Sequence, residues 1–167
     1  DATAAVSWEA LVHEVSDSGL FYAVKQPIMD LRTDALYGYE LLARSRGTAL
    51  PNPEDFLNFA MDAGLALQVD MNAFGACSTL CHQIPVELSC HLNILPSTLD
   101  TVSVADLMRK LPERGSRRRF CIEISEKETI GDPAKMLGYV QELREAGVRV
   151  AIDDIGFGRS CLEALIL

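Results

Sequence analysis

Apolar and polar positions follow two different patterns along the chain. Stretches rich in branched and aromatic residues, typical of β-strands, occur at 21–28, 35–43, 85–94, 120–125 and 148–153. Segments with helical periodicity occur at 7–15, 53–67, 69–82, 104–111 and 133–147. The first two strands follow one another directly, whereas helices separate the later ones. Because parallel neighbours need a crossover of this kind, the order predicts βαβ units and a mainly parallel sheet.

This order fits two fold classes. A doubly wound sheet and a (β/α)8 barrel both alternate strands with helices, and the apolar runs 121–124 and 148–152 suit strands that are covered on both faces. A length of 167 residues with 49% apolar content predicts one main domain. We assign residues 21–167 to that domain and residues 1–20 to an N-terminal helical linker segment.

Polar residues recur at the ends of three predicted strands. Asn93, Glu123 and Asp153 lie 30 residues apart (123 − 93 and 153 − 123), which is about one βα unit each. Side chains alternate along a strand, so these three residues point away from the apolar face and converge on one axis. Glu40, two residues after Gly38 on an earlier strand, is predicted to join them from the side.

The donor atoms of this cluster indicate a hard-metal site. Carboxylates and one amide carbonyl, with no histidine or cysteine in the pattern, favour magnesium or manganese over zinc or copper. Asp154 adds a second carboxylate beside Asp153. Such a set suits two metals that activate a water and stabilise the leaving oxygen in phosphodiester cleavage. The alternative, that acids at strand ends cap helices or pair with arginines, is favoured for any single residue but is weaker for four together.

Composition excludes several classes of function. With 15 basic and 24 acidic residues the net charge is −9, which argues against a DNA-binding groove. The chain contains no apolar run long enough to cross a bilayer and no basic leader segment, so we expect a cytoplasmic protein without membrane insertion. Buried, reduced thiols are expected for the five cysteines, Cys77, Cys81, Cys90, Cys121 and Cys161.

Other conspicuous residues are assigned structural roles. His82 and His91 are expected at satisfied or surface positions, although a zinc site near His82 is conceivable. The arginine run 117–119 is predicted to be a solvated loop, and Asp70 a helix-turn residue. Trp8, on the amphipathic N-terminal segment, is expected to pack on the domain.

Several short segments, in order and in register, resemble the EAL domain, the family of cyclic di-GMP phosphodiesterases. The resemblance runs from about residue 21 to the last residue, and several motifs together are far more specific than any one. The matching segments are Gln26-Pro27-Ile28, Tyr39-Glu40-Leu41-Leu42-Ala43-Arg44, 52–56, Leu92-Asn93-Ile94, Ile122-Glu123-Ile124-Ser125-Glu126, 143–147 and 150–158.

The resemblance implies a fold and a metal-ligand set. EAL domains are (β/α)8 TIM-barrel variants with an antiparallel first strand, and their active site lies at the carboxyl ends of the strands. About five of the eight strands fall within this chain. Two divalent ions, Mg²⁺ or Mn²⁺, would be held by Glu40, Asn93, Glu123, Asp153 and Asp154.

The same resemblance assigns roles around the substrate. Arg44 would meet a phosphate of cyclic di-GMP and Gln26 a guanine, while Glu126 would support catalysis through the glycine-containing loop 155–159. The implied reaction is hydrolysis of cyclic di-GMP to linear pGpG. A homodimer and an upstream sensory or GGDEF domain are the implied partners.

Two departures from the family pattern accompany the resemblance. The signature reads Glu40-Leu41-Leu42 instead of Glu-Ala-Leu, and the loop carries Ile155, Phe157, Arg159 and Cys161 where the family commonly reads DDFGTGYSSL. Later catalytic residues of the family have no counterpart in the 167 residues, so this chain alone is expected to be inactive. The alternative function is a degenerate EAL domain that binds cyclic di-GMP or a protein without catalysis.

Overall fold

One five-stranded sheet organises the protein, with strands in the order β1-β2-β3-β4-β5. The computed structural model describes residues 7–47, 50, 52–113, 115–125 and 133–153. Strand β1 pairs with β2 in antiparallel fashion, and every later pair is parallel. The predicted mainly parallel sheet with an antiparallel first strand is therefore confirmed.

Helices separate the parallel strands, as the sequence predicts. The strands are β1 Phe21–Asp30, β2 Ala35–Ser45, β3 Ser89–Ile94, β4 Phe120–Ser125 and β5 Arg149–Asp153. The α-helices are α1 Trp8–Ser16, α2 Pro53–Asp62, α3 Ala66–Cys81, α4 Pro96–Leu99, α5 Val104–Lys110 and α6 Pro133–Glu145, with short 3-10 turns at Ser18–Leu20 and Arg117–Arg119.

The main core lies between one face of the sheet and the helices that cover it. Leu92 on β3 and Ile122 and Ile124 on β4 have no exposed surface, and Phe74 of α3 and Leu143 of α6 pack in the same cluster. These strand residues alternate with polar ones, so burying the apolar set forces the polar set onto the opposite face. The hydrophobic pattern thereby fixes the direction of the candidate site residues.

A second, smaller core attaches the N-terminal helix. Val15 of α1 is fully buried with Phe21 and Phe56, and the rings of Trp8 and Phe59 lie 4.7 Å apart between centroids. The carbonyl of Ser16 accepts a hydrogen bond of 3.1 Å from the Gln68 side chain. Helix α1 thus packs on the domain, while the boundary between residues 20 and 21 stays a prediction.

Two boundaries differ from those predicted by four or more residues, and one helix is additional to those predicted. The helix predicted over 53–67 ends at Asp62, because Gly64 adopts a φ of 70° that no helix accommodates. Strand β3 begins at Ser89 instead of residue 85, since residues 85–88 form a turn closed by a 3.1 Å bond from Leu88 N to Pro85 O. Helix α4 was not predicted, because its four residues are too few to establish a period.

The predicted solvated loop at the arginine run is wrong for Arg119. This side chain is buried, and its guanidinium donates to the carbonyls of Cys81 and Ile84 at 3.4 and 3.3 Å. These carbonyls close the carboxyl end of α3, where unpaired acceptors favour a cation. Arg119 therefore caps the carboxyl end of α3 from within the core.

The cysteine prediction is confirmed for the residues that the structure describes. Cys77, Cys81, Cys90 and Cys121 are free and buried, and Cys161 lies outside the described residues. Burial raises the pKa of the Cys77 thiol to about 12, which keeps it protonated near neutral pH. Among the helices described, none combines the length and apolar character that a membrane span requires.

Close approach of β2 and β3 requires glycine at position 38. Gly38 is paired with Ser89, and a Cβ added there would lie 2.6 Å from the Cβ of Ser89 and closer still to its carbonyl oxygen. A side chain would push apart the two strands that carry Glu40 and Asn93. Glycine at position 38 therefore keeps β2 and β3 close together just before Glu40.

We expect Gly38→Ala to lower the free energy of unfolding by roughly 1–3 kcal/mol, the usual cost of overpacking. The matched control is Gly75→Ala inside α3, where an added Cβ meets nothing within 4 Å. That change should stabilise by about 0.5–1 kcal/mol, because alanine loses less backbone entropy than glycine. Urea unfolding of the three proteins measures both effects, and equal midpoints for Gly38→Ala and wild type would contradict the packing account.

Candidate metal centre

Three carboxylates converge on the polar face of the sheet. Glu40 of β2, Glu123 of β4 and Asp153 of β5 each offer an oxygen, and these oxygens lie within 4.8 Å of one another. Glu40 and Glu123 are partly buried, and Asp153 is exposed. The structure thus brings together three of the predicted ligands.

A stagger between strands produces this convergence. Glu40 is level with His91 in the β2–β3 pairing, Asn93 is level with Glu123 in the β3–β4 pairing, and Asp153 is level with Ser125 in the β4–β5 pairing. Glu40 therefore lies two residues before the level of Asn93 and Glu123, and Asp153 lies two residues beyond that level. This diagonal brings side chains from separate strands toward one point near their carboxyl ends.

Asn93 joins the cluster through its side-chain amide. Its Nδ2 donates a hydrogen bond of 3.0 Å to Oε1 of Glu40. An amide that donates through nitrogen keeps its carbonyl oxygen free to act as a hard donor. The structure therefore brings the four predicted strand residues into one site: Glu40, Asn93, Glu123 and Asp153.

His91, which is expected from the sequence at a satisfied or surface position, contacts a carboxylate of this site. Its Nδ1 lies 2.6 Å from Oε1 of Glu123, and both side chains are 13% exposed. Burial lowers the pKa of His91, but hydrogen bonds to Cys121 and Glu123 outweigh it and raise the pKa to about 9. The signal was available, because residues 91 and 93 share a face of the strand.

Asp70 supports the turn that follows Asn93. This residue lies inside α3 and is buried, and its Oδ2 accepts a 3.0 Å hydrogen bond from the backbone N–H of Leu95. The structure thus places Asp70 within a helix, as predicted, and gives its carboxylate a backbone hydrogen bond that the sequence did not indicate. A buried carboxylate bonded to the backbone two residues after Asn93 holds the end of β3 against α3.

The two predicted ligand-binding residues flank the carboxylates. Gln26 pairs directly with Glu40 across the β1–β2 ladder and is exposed. Arg44 lies four residues beyond Glu40, and its Nη1 donates 2.8 Å to the carbonyl of Ala43. Arg44 and Asn93 also line a largely apolar pocket of about 260 Å³ between the end of β2 and helices α2 and α3. Glu126 and Asp154, the remaining predicted site residues, lie outside the described residues.

The donor set fits a divalent cation of the hard class. Three carboxylates and one amide oxygen are the ligands that Mg²⁺ and Mn²⁺ take in proteins, whereas zinc favours nitrogen and sulfur. The neighbouring His91 offers Nδ1 to Glu123 and not to a shared centre. The observed geometry therefore favours an oxygen-ligated metal.

Comparisons with known proteins relate the whole chain to a family. The probable cyclic di-GMP phosphodiesterase PdeI of Escherichia coli is 28% identical over 164 residues, which cover 91% of this chain and 21% of PdeI. Two structures of Klebsiella pneumoniae BlrP1, a manganese/cy-diGMP complex and a calcium/cy-diGMP complex, are 26% and 25% identical. Each superposes with a TM-score of 0.74. The manganese complex covers 88% of this chain and 38% of BlrP1, and the calcium complex covers 90% and 39%.

The chain thus spans between a fifth and two-fifths of the length of these relatives. The superposition confirms the predicted EAL-type (β/α)8 barrel fold, of which five strands are described here. The EAL domain family matches residues 8–167, and the chain therefore belongs to the EAL domain family.

Proposed function

We propose that this chain binds cyclic di-GMP through a divalent metal site and serves the hydrolysis of that dinucleotide to linear pGpG. The convergence of Glu40, Glu123 and Asp153 carries the proposal. Three carboxylates at this spacing form a strongly negative centre, and an anionic phosphodiester reaches such a centre only with cations between them.

Two relatives support the identity of the ligand. PdeI bears the name of a probable cyclic di-GMP phosphodiesterase, and BlrP1 forms complexes with cy-diGMP and either manganese or calcium. The share of sequence identity with BlrP1, 25–26%, is modest. For this reason the proposal rests first on the carboxylate cluster and second on the relatives.

The residues divide into metal-holding and substrate-holding groups. Glu40, Asn93, Glu123 and Asp153 would hold Mg²⁺ or Mn²⁺, with Asp154 as a further carboxylate. When bound, the metals supply an activated water and stabilise charge on the leaving oxygen. Glu126 keeps its predicted role in catalysis through the loop that follows β5.

Arg44 and Gln26 would orient the substrate. A guanidinium matches the two free oxygens of a phosphodiester, and Arg44 lies at the rim of the pocket beside Asn93. Gln26 is exposed next to Glu40, where its amide is available to a base edge. The apolar walls of the pocket exclude water from one side of the bound dinucleotide.

A receptor without catalysis is the second candidate. The substitutions Ile155, Phe157, Arg159 and Cys161 in the loop after Asp154 favour it, because the resemblance links this loop to activity. The retained carboxylate cluster favours the enzyme. Pairing of two copies, an upstream sensory or GGDEF domain and a cytoplasmic location stay predictions.

The first test removes charge from the centre. We expect Glu123→Gln to weaken Mn²⁺ binding at least about 100-fold, more than the loss typical of residues that only support a ligand. Glu142→Gln, an exposed change on α6, is the matched control and should bind as wild type does. Calorimetry measures the binding of Mn²⁺ and then of cyclic di-GMP. If the affinity for cyclic di-GMP is unchanged after a chelator removes the metal, a metal-mediated site is contradicted.

Chromatography of the same mixtures separates the two candidate functions. Formation of pGpG by the chain, or by the longer protein where the chain is one of its parts, supports the phosphodiesterase. Tight metal-dependent binding of cyclic di-GMP without any product supports the receptor. The product, pGpG, distinguishes hydrolysis of one phosphodiester from complete degradation.

The second test concerns the arginine at the pocket rim. We expect Arg44→Lys to weaken cyclic di-GMP binding about tenfold, because lysine keeps the charge but loses the two-pronged contact with phosphate. Arg46→Lys is the control, since Arg46 is exposed and packs over the ring of Tyr22 instead. Fluorescence titration with a labelled dinucleotide measures both, and equal affinities for the two variants would rule out a specific phosphate contact.

A further inference from the structure

We propose that His91 is a positioning residue that fixes the carboxylate of Glu123 for metal binding. The effect of this contact on metal affinity rests on the proposed function. The hydrogen bond between His91 and Glu123 does not depend on it. Nδ1 of His91 and Oε1 of Glu123 are 2.6 Å apart, slightly closer than the separation of about 2.7–2.9 Å that is typical of charged hydrogen bonds from nitrogen to a carboxylate. The other oxygen of Glu123 remains available to the centre.

The geometry explains why these two residues meet. His91 lies two residues before Asn93 on β3, and Asn93 is level with Glu123 on β4. His91 thus lies two residues before the level of Glu123 on the same face of the sheet, and it is level with Glu40 on the other neighbouring strand. From this position the imidazole reaches the carboxylate of Glu123 on β4.

Two neighbouring side chains flank the ring of His91. Tyr37 packs edge-on against it with centroids 6.3 Å apart, and Cys121 is its direct neighbour on β4. Nε2 is buried, and no hydrogen-bond partner for it exists among the residues that the structure describes. Nδ1, by contrast, is directed at Glu123, and Cys121 is the other polar neighbour of the ring.

The chemistry of the pair sets the direction of the hydrogen bond. An ionised carboxylate only accepts, so Nδ1 carries the hydrogen and donates it to Oε1. A free glutamate side chain rotates about three bonds and loses that freedom when it binds a metal. Anchoring one oxygen beforehand reduces this loss, and residues that orient a ligand in this way typically contribute about 10- to 100-fold in metal affinity.

A pair of matched variants tests the proposal. Asparagine at position 91 places its Nδ2 where Nδ1 of the imidazole lies, and leucine has a similar branched shape without a donor. We expect His91→Leu to weaken Mn²⁺ binding about 10- to 100-fold and His91→Asn to restore most of the affinity. In a Glu123→Ala background, His91→Leu should cause no further loss.

Rescue by asparagine distinguishes positioning from a general structural role. If His91→Leu binds Mn²⁺ as wild type does, or if both variants lose affinity equally while remaining folded, the proposal is overturned. A loss in Glu123→Gln with none in His91→Leu would overturn the role of His91 and leave the metal site intact.

A metal-free measurement keeps the proposal independent of the proposed function. In nitrogen-15 NMR of the apo protein, the Nδ1 proton of His91 should appear and exchange slowly with water, and Glu123→Ala should abolish it. A protein that shows this proton but binds no Mn²⁺ would retain the His91–Glu123 contact and refute the metal site. Absence of the proton in the wild-type protein would overturn the contact and the inference with it.

Discussion

Repulsion among three carboxylates is the constraint on which the polar face of this sheet depends. Their oxygens lie within 4.8 Å of one another, and two unit charges about 4 Å apart repel by about 4 kcal/mol at an effective dielectric constant of roughly 20. Asn93 donates to Glu40 and His91 donates to Glu123, which offsets part of this cost. Because Asp153 is exposed, water screens its charge and weakens its repulsion with the other two carboxylates. A bound divalent cation would offset the remaining repulsion.

The fold tolerates this cluster because the opposite face is strongly apolar. Leu92, Ile122 and Ile124 are fully buried. Burying each of these side chains stabilises the folded state by roughly 1.5–3 kcal/mol. Because side chains alternate, that burial fixes Asn93 and Glu123 on the polar face. Gly38 allows β2 to approach β3 closely enough for Glu40 to reach Asn93. Stability and site geometry therefore arise from the same alternation.

Much of the fold and most of the candidate metal centre could be predicted because both follow local periodicity. The 30-residue recurrence of Asn93, Glu123 and Asp153 indicated parallel strands with their acidic ends at one edge. The diagonal stagger was not predictable, since it arises from strand pairing and leaves no periodic signal in the sequence. His91 was missed, although it shares a face of β3 with Asn93, because a lone histidine on a strand usually has a structural role. Arg119 was missed because a buried guanidinium looks the same in sequence as a solvated one.

Anomalous diffraction from crystals grown with Mn²⁺ tests the central claim most directly. The account predicts a manganese peak bounded by Glu40, Glu123 and Asp153, with the amide oxygen of Asn93 turned toward it and His91 still bonded to Glu123. A peak elsewhere, or an ordered carboxylate cluster with no manganese at millimolar concentration, would contradict it.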